Sequence, residues 1–117
     1  MADISIVRGD TLKLWIDSIK MSDGSDYVLS GTDIVYLDVK KSASDKTAVF
    51  SKSVTAEDYD DGRLPIIIYP EDTANIPPID YFFDVRLFID DDNIYTIIPM
   101  SKLRIVRNVT DIPEGSG

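Results

Sequence analysis

The sequence predicts an all-β fold, an antiparallel β-sandwich of about eight strands with at most one short helical turn. Three observations predict it. Apolar residues recur with a period of two along most of the chain, as strands with one buried face require. Turn-forming residues interrupt that alternation every few residues. Helix-like composition is confined to one short stretch, residues 71 to 76. About eight short strands separated by such turns is the pattern of an Ig-like sandwich.

The elements follow in order. Residues 3 to 7 form the first strand. The next residues, Arg8-Gly9-Asp10, spell a tripeptide that integrins read, but Gly9 frees φ and Thr11 leads straight into an alternating strand, so they are read as a turn. Leu12, Leu14 and Ile16 then alternate with Lys13, Trp15 and Asp17. Asp23-Gly24 offers the positive φ of a tight hairpin before a strand at 27 to 30. Val35, Leu37 and Val39 mark a strand between 34 and 40, and another is expected at 48 to 54.

Asp60-Asp61-Gly62 closes a polar loop before the strand at 63 to 69, whose run Leu64-Pro65-Ile66-Ile67-Ile68-Tyr69 would make a sticky edge. Arg63, Pro65 and Pro70 read as its gatekeepers. Glu71 to Ile76 forms about one helical turn, acidic at its start and stopped by Pro77-Pro78. Tyr81, Phe83, Val85, Leu87 and Ile89 then alternate, while the intervening Phe82 and Phe88 are apolar too, which places this strand in mid-sheet. Asp91-Asp92-Asn93 makes a hairpin to a strand at 93 to 98, and 102 to 109 closes the domain. The predicted core is Tyr81, Phe83, Val85, Leu87, Leu12, Leu14, Ile16, Leu37 and Val39. One sandwich domain spans 1–110, and 111–117 reads as a linker or tail.

At 117 residues the chain holds one domain and buries roughly two thirds of its extended surface. It has no Cys and no His, which removes thiol nucleophiles, disulfides, imidazole bases and nearly every zinc site. Twelve basic against 21 acidic residues give a net charge of −9, so nucleic acid and membrane surfaces are not expected partners. No apolar run is long enough to span a membrane, and Met1-Ala2-Asp3 does not begin a signal peptide, so synthesis in the cytoplasm is expected. The sequon Asn108-Val109-Thr110 carries no weight without a secretory context.

Acidic clusters at Glu57 to Asp61 and Asp90 to Asp92 supply the hard oxygens that calcium prefers. With Gly62 at the sixth position of a calcium loop, however, Tyr59 and Ile68 fall where ligands belong, so no metal is expected. Paired carboxylates can hydrolyse glycosides, but most of these acids lie in turns of a small domain. No enzyme activity and no cofactor are expected. The aromatic residues are expected to pack in the core and across strands, except Trp15, which shares a strand face with Lys13 and Asp17 and is the candidate interaction residue.

The order of short motifs resembles one family. Asp3-Ile4, Arg8-Gly9-Asp10-Thr11, Leu29 and Gly31 before Val39-Lys40, Pro70 with Asp72-Thr73, Tyr81 with Asp84-Val85, and a closing strand to Val109-Thr110 resemble the N-terminal β-sandwich of phage baseplate upper proteins and related tail modules. That family tends to carry Gly in the turn before its last strand, where this chain has Met100-Ser101-Lys102. The resemblance implies a virion structural protein at the phage or prophage baseplate, synthesised in the host cytoplasm. Such a module docks on other tail proteins, orients a downstream receptor-binding or fibre region, and is a homo-oligomer, a trimer first and a dimer second. The alternative is an Ig-like adhesion or carbohydrate-binding module.

Overall fold

Where apolar residues alternate, the chain is extended and paired. The computed structural model describes residues 3–21, 23–90 and 92–107, and it is mostly β. Nine strands lie among the described residues: β1 (Ile4–Val7), β2 (Leu12–Ile16), β3 (Ile19–Lys20), β4 (Asp26–Tyr27), β5 (Ile34–Lys40), β6 (Phe50–Thr55), β7 (Leu64–Ile68), β8 (Asp80–Phe88) and β9 (Ile94–Val106). A 3-10 turn at Ala56–Asp58 and a five-residue helical turn, α1 (Pro70–Ala74), flank β7, two helical turns where at most one is expected; Thr55 and Asp58 cap the additional one. The expected tail 111–117, the sequon and Asp91 lie outside the described residues.

Five strands form one sheet in the order β1-β9-β8-β5-β6, while β2 pairs with β7 and β3 with β4. The central place of β8 agrees with its apolar pattern. One edge departs from the expected antiparallel arrangement: β1 runs parallel to β9, from Ile4 opposite Leu103 to Val7 opposite Val106. The first and last strands are joined only through the rest of the domain, which supplies the long crossover that parallel neighbours need.

Two further expectations are corrected. The strand at 27 to 30 is confined to Asp26–Tyr27, and it pairs with β3, which the periodicity did not reveal. Asp33 explains the early end, because its buried carboxylate accepts the Tyr27 hydroxyl at 2.5 Å and the Ser30 N–H at 3.0 Å and turns residues 28 to 30 into a loop. The two strands at 93–98 and 102–109 are a single strand, β9. Its partner positions step from Phe83–Ser101 to Val85–Ile98 and then to Arg86–Thr96, so the segment around Pro99 bulges without turning. A bulge is where a sheet tolerates a residue without an N–H, and the Ser101 hydroxyl bonds the Pro99 carbonyl there at 2.8 Å.

Both paired sets contribute to one core cluster. Val35, Leu37, Val39, Tyr81, Phe83, Val85, Leu87, Leu103 and Ile105 enter it from the large sheet, and Ile16, Leu64, Ile66 and Ile68 from β2 and β7. Seven of the expected core residues are buried. Leu12 and Leu14 are only half-buried against that cluster, because β2 has a strand neighbour on one side alone. Tyr81 is 1% exposed, and its hydroxyl donates to the Pro77 carbonyl at 2.7 Å, fixing the corner between α1 and β8.

An inward charge guards the open edge strand β6. Lys52 lies opposite Leu37 in the register, on the core side, where an apolar residue would invite pairing with another chain. Its ammonium meets the Asp72 carboxylate at 2.9 Å, and the same oxygen accepts the Tyr69 N–H at 2.7 Å, capping α1. Pro70, the first residue of α1, thus opens a helix as well as stopping a strand. Both side chains of the ion pair are mostly shielded. Asp72→Ala, which loses cap and ion pair together, is expected to cost about 1–3 kcal/mol in urea unfolding. Lys52→Met, which leaves the cap in place, is expected to cost less.

Candidate interaction surface

Trp15 is placed by the pairing of β2 with β7. Leu14 lies opposite Ile66 and Ile16 opposite Leu64 on the core side, so Trp15 opposite Pro65 and Lys13 opposite Ile67 point outward. There the indole is held between cations. The Arg63 guanidinium lies 4.2 Å from the ring centre and the Lys13 ammonium 5.8 Å, at the range where ring quadrupoles attract positive charge. Asp17 steadies Arg63 from 3.9 Å. Arg63, read from sequence as a gatekeeper, is part of this surface.

The surface continues past β7 into a groove of about 430 Å³ between β6 and β7, lined by Lys52, Pro65, Ile67 and Tyr69 among others. Tyr69 is 45% exposed and sits 5.1 Å from the Lys52 ammonium. Trp, Tyr and Arg are the residue types that dominate binding energy at protein interfaces. On a chain of net charge −9, the outward Lys13 and Arg63, the latter met by Asp17 only at 3.9 Å, also favour an acidic contact.

A second surface lies on the outer face of the large sheet. Tyr36 meets Phe88 edge to face at 5.1 Å, and Arg86 stacks on Phe88 at 5.2 Å. The sequence reading assigned these rings to the core and to cross-strand packing. The second part holds, but Phe82 and Phe88 remain half-buried, since no layer of the described residues covers this face. Their signal in the sequence was the missing polar residue at alternate positions of β8.

The other motifs lie in turns held by local hydrogen bonds. In the turn Arg8-Gly9-Asp10 the Asp10 N–H returns to the Val7 carbonyl at 2.9 Å, and Gly9, with φ of 87°, donates to the buried Thr73 hydroxyl at 2.9 Å. Asp90 accepts the Asn93 amide and the N–H groups of Asp92 and Asn93, bonds that hold its carboxyl below the usual range. Asp23 is held low in the same way by Ser25. Among the described residues no three carboxylates converge on a common point.

An apolar cleft of about 290 Å³ opens between Ile16, Ile19, Tyr27, Tyr59 and Leu64. Both phenol groups there are committed, Tyr27 to Asp33 and Tyr59 as acceptor of the Leu29 N–H at 3.0 Å. The hydrogen bond to Asp33, with burial second, pushes the Tyr27 pKa up to about 12. A folded-state pKa above the unfolded value gives stability that is complete below about pH 10 and lost as pH rises through about 12. Alkaline unfolding followed by circular dichroism is therefore expected to show a steeper fall between those values in the native protein than in Tyr27→Phe.

Neither a protein-family model nor a curated protein matches the chain. Among the described residues no helix is long and apolar enough to cross a membrane.

Proposed function

We propose that the chain is an Ig-like β-sandwich serving as a non-catalytic attachment module of a phage or prophage tail. Three features support the fold. The order β9-β8-β5-β6 corresponds to strands G, F, C and C′ of a variable-type domain, and the separate pair β2–β7 to strands B and E of the facing layer. Tyr81, near the start of β8 and bonded to a carbonyl four residues upstream, has the geometry of a tyrosine corner. Phe83, two residues later and 2% exposed, occupies the position where antibody domains carry their second Cys.

The functional reading rests on one observation, the outward Trp15 clamped by Arg63 on the β2–β7 pair, with exposed Tyr69 just past the other end of β7. An aromatic and arginine cluster of that kind suits docking on another protein. The ordered motifs from Asp3 to Thr110 supply the setting, the baseplate or tail tip, where the module orients a downstream receptor-binding or fibre region. Its partners are other tail proteins and copies of itself, and its place is the virion. The test is incorporation. Particles purified on a density gradient should contain the native chain by mass spectrometry and lose Trp15→Ala and Arg63→Glu, and a virion fraction free of the native chain contradicts the reading.

Tyr69 favours a second reading as an adhesion or carbohydrate-binding module, since an open ring beside a groove stacks on sugars. Arg63 over one face of Trp15 weighs against sugar stacking there. Glycan-array binding lost in Tyr69→Ala would favour this second reading.

A further inference from the structure

The outer face of the large sheet carries charges that are left without opposite partners. Asp38 of β5 lies directly across from Asp84 of β8 in the register, and like charges so placed repel. Among the described residues neither carboxylate has a cation within 4.0 Å, and Arg86, the next outward residue of β8, has no carboxylate. Arg86 lies instead on the ring of Phe88. Half-buried Phe82 and Phe88 bracket this charged centre along the strand, two residues out on either side.

This pattern is its own complement. Take a two-fold axis parallel to the sheet and just above its outer face, perpendicular to the strands and passing between the levels of Asp84 and Arg86. A second copy laid face to face by that axis sets Arg86 on Asp84 twice and Phe82 on Phe88 twice. In β5 it sets the Tyr36 phenol against the carboxylate of Asp38, since those residues share the levels of Arg86 and Asp84. The match is centred on β8, where Asp84 and Arg86 each gain an opposite charge; on β5 Asp38 already accepts the Ser51 hydroxyl at 2.6 Å, and Lys40, level with Phe82, faces Ile34 at the margin. Five strands of four to 13 residues, about 4.8 Å apart, present roughly 600 Å² per copy. Specific interfaces bury about 600–1,000 Å² per partner, so the face reaches the lower end of that range.

We infer that a second copy of this chain packs face to face on the outer surface of the large sheet, as an isologous dimer centred on reciprocal Arg86–Asp84 pairs. The inference deepens the reading of a self-associating module and favours a two-fold contact over a three-fold one.

The test is sedimentation equilibrium of the 117-residue chain with charge-reversed variants. The native chain should sediment as a dimer at tens of micromolar. Asp84→Arg and Arg86→Asp alone should each weaken association by at least about tenfold, and the double variant D84R/R86D should restore it. Thermal melts at dilute concentration keep folding separate: Asp84→Arg relieves the repulsion with Asp38 and should melt no lower than the native chain while failing to dimerise. A native chain that stays monomeric, or an oligomer of any size that single reversals leave unchanged, overturns the inference. Neither outcome bears on incorporation into particles, which tests the attachment reading by itself.

Discussion

Tyr81→Ala is expected to cost about 3–5 kcal/mol in chemical denaturation, the largest effect of any single change considered. The ring is 1% exposed within the shared core, so its removal leaves a cavity that strands on either side can close only in part. The hydroxyl contributes separately through its bond to the Pro77 carbonyl, which also accepts the Ile79 N–H at 3.0 Å. Tyr81→Phe, which keeps the ring and leaves that carbonyl one partner, should therefore cost only about 1 kcal/mol. A Phe variant as damaging as the Ala variant would mean that the corner bond, and not the packing, holds β8 in place.

Asp33→Ala ranks second, at about 2–4 kcal/mol. The carboxylate is 5% exposed and accepts both the Tyr27 hydroxyl and the Ser30 N–H, so its loss strands two donors at the base of the β3–β4 hairpin. Urea unfolding measures the cost. Hydrogen exchange locates it: the amides of Ser30 and Leu29 should lose protection before those of β8. An Asp33→Ala protein as stable as the native one would show that the hairpin is held from elsewhere.

How much of this was legible in the sequence depended on whether a residue's neighbours lie near it in the chain. Alternation along a single strand revealed β2, β5 and β8, and it placed Ile16, Leu37, Val39, Tyr81, Phe83, Val85 and Leu87 inside correctly. Strand pairing is a matter between distant segments, and the parallel edge of β1 on β9 left no local trace. The strands expected at 93–98 and 102–109 are one because the ladder slips past Pro99, and only the partner strand shows that slip. β3 is two residues long, too short for any period to register.

The surfaces were legible to a similar degree. Trp15 stood out because it sat among charged residues on the wrong side of an amphipathic strand, and it does face outward. Arg63 lies 48 positions away in sequence, and only the pairing of β2 with β7 brings it over the indole. Phe82, Phe88 and Tyr36 were visible as aromatic but not as half-buried, since periodicity separates two faces of a strand without saying whether anything covers the second. The facing of Asp38 and Asp84 follows from register alone and had no signature in either strand.

The claim that this domain is a tail attachment module is tested most directly by immunogold electron microscopy of particles released from the host that carries the gene, using antibody raised against residues 3–107. Label at the distal end of the tail, in symmetric sets on each particle, is the expected result. Label confined to cell walls or to the cytosol, with particles left bare, would contradict the account and favour the adhesion module instead.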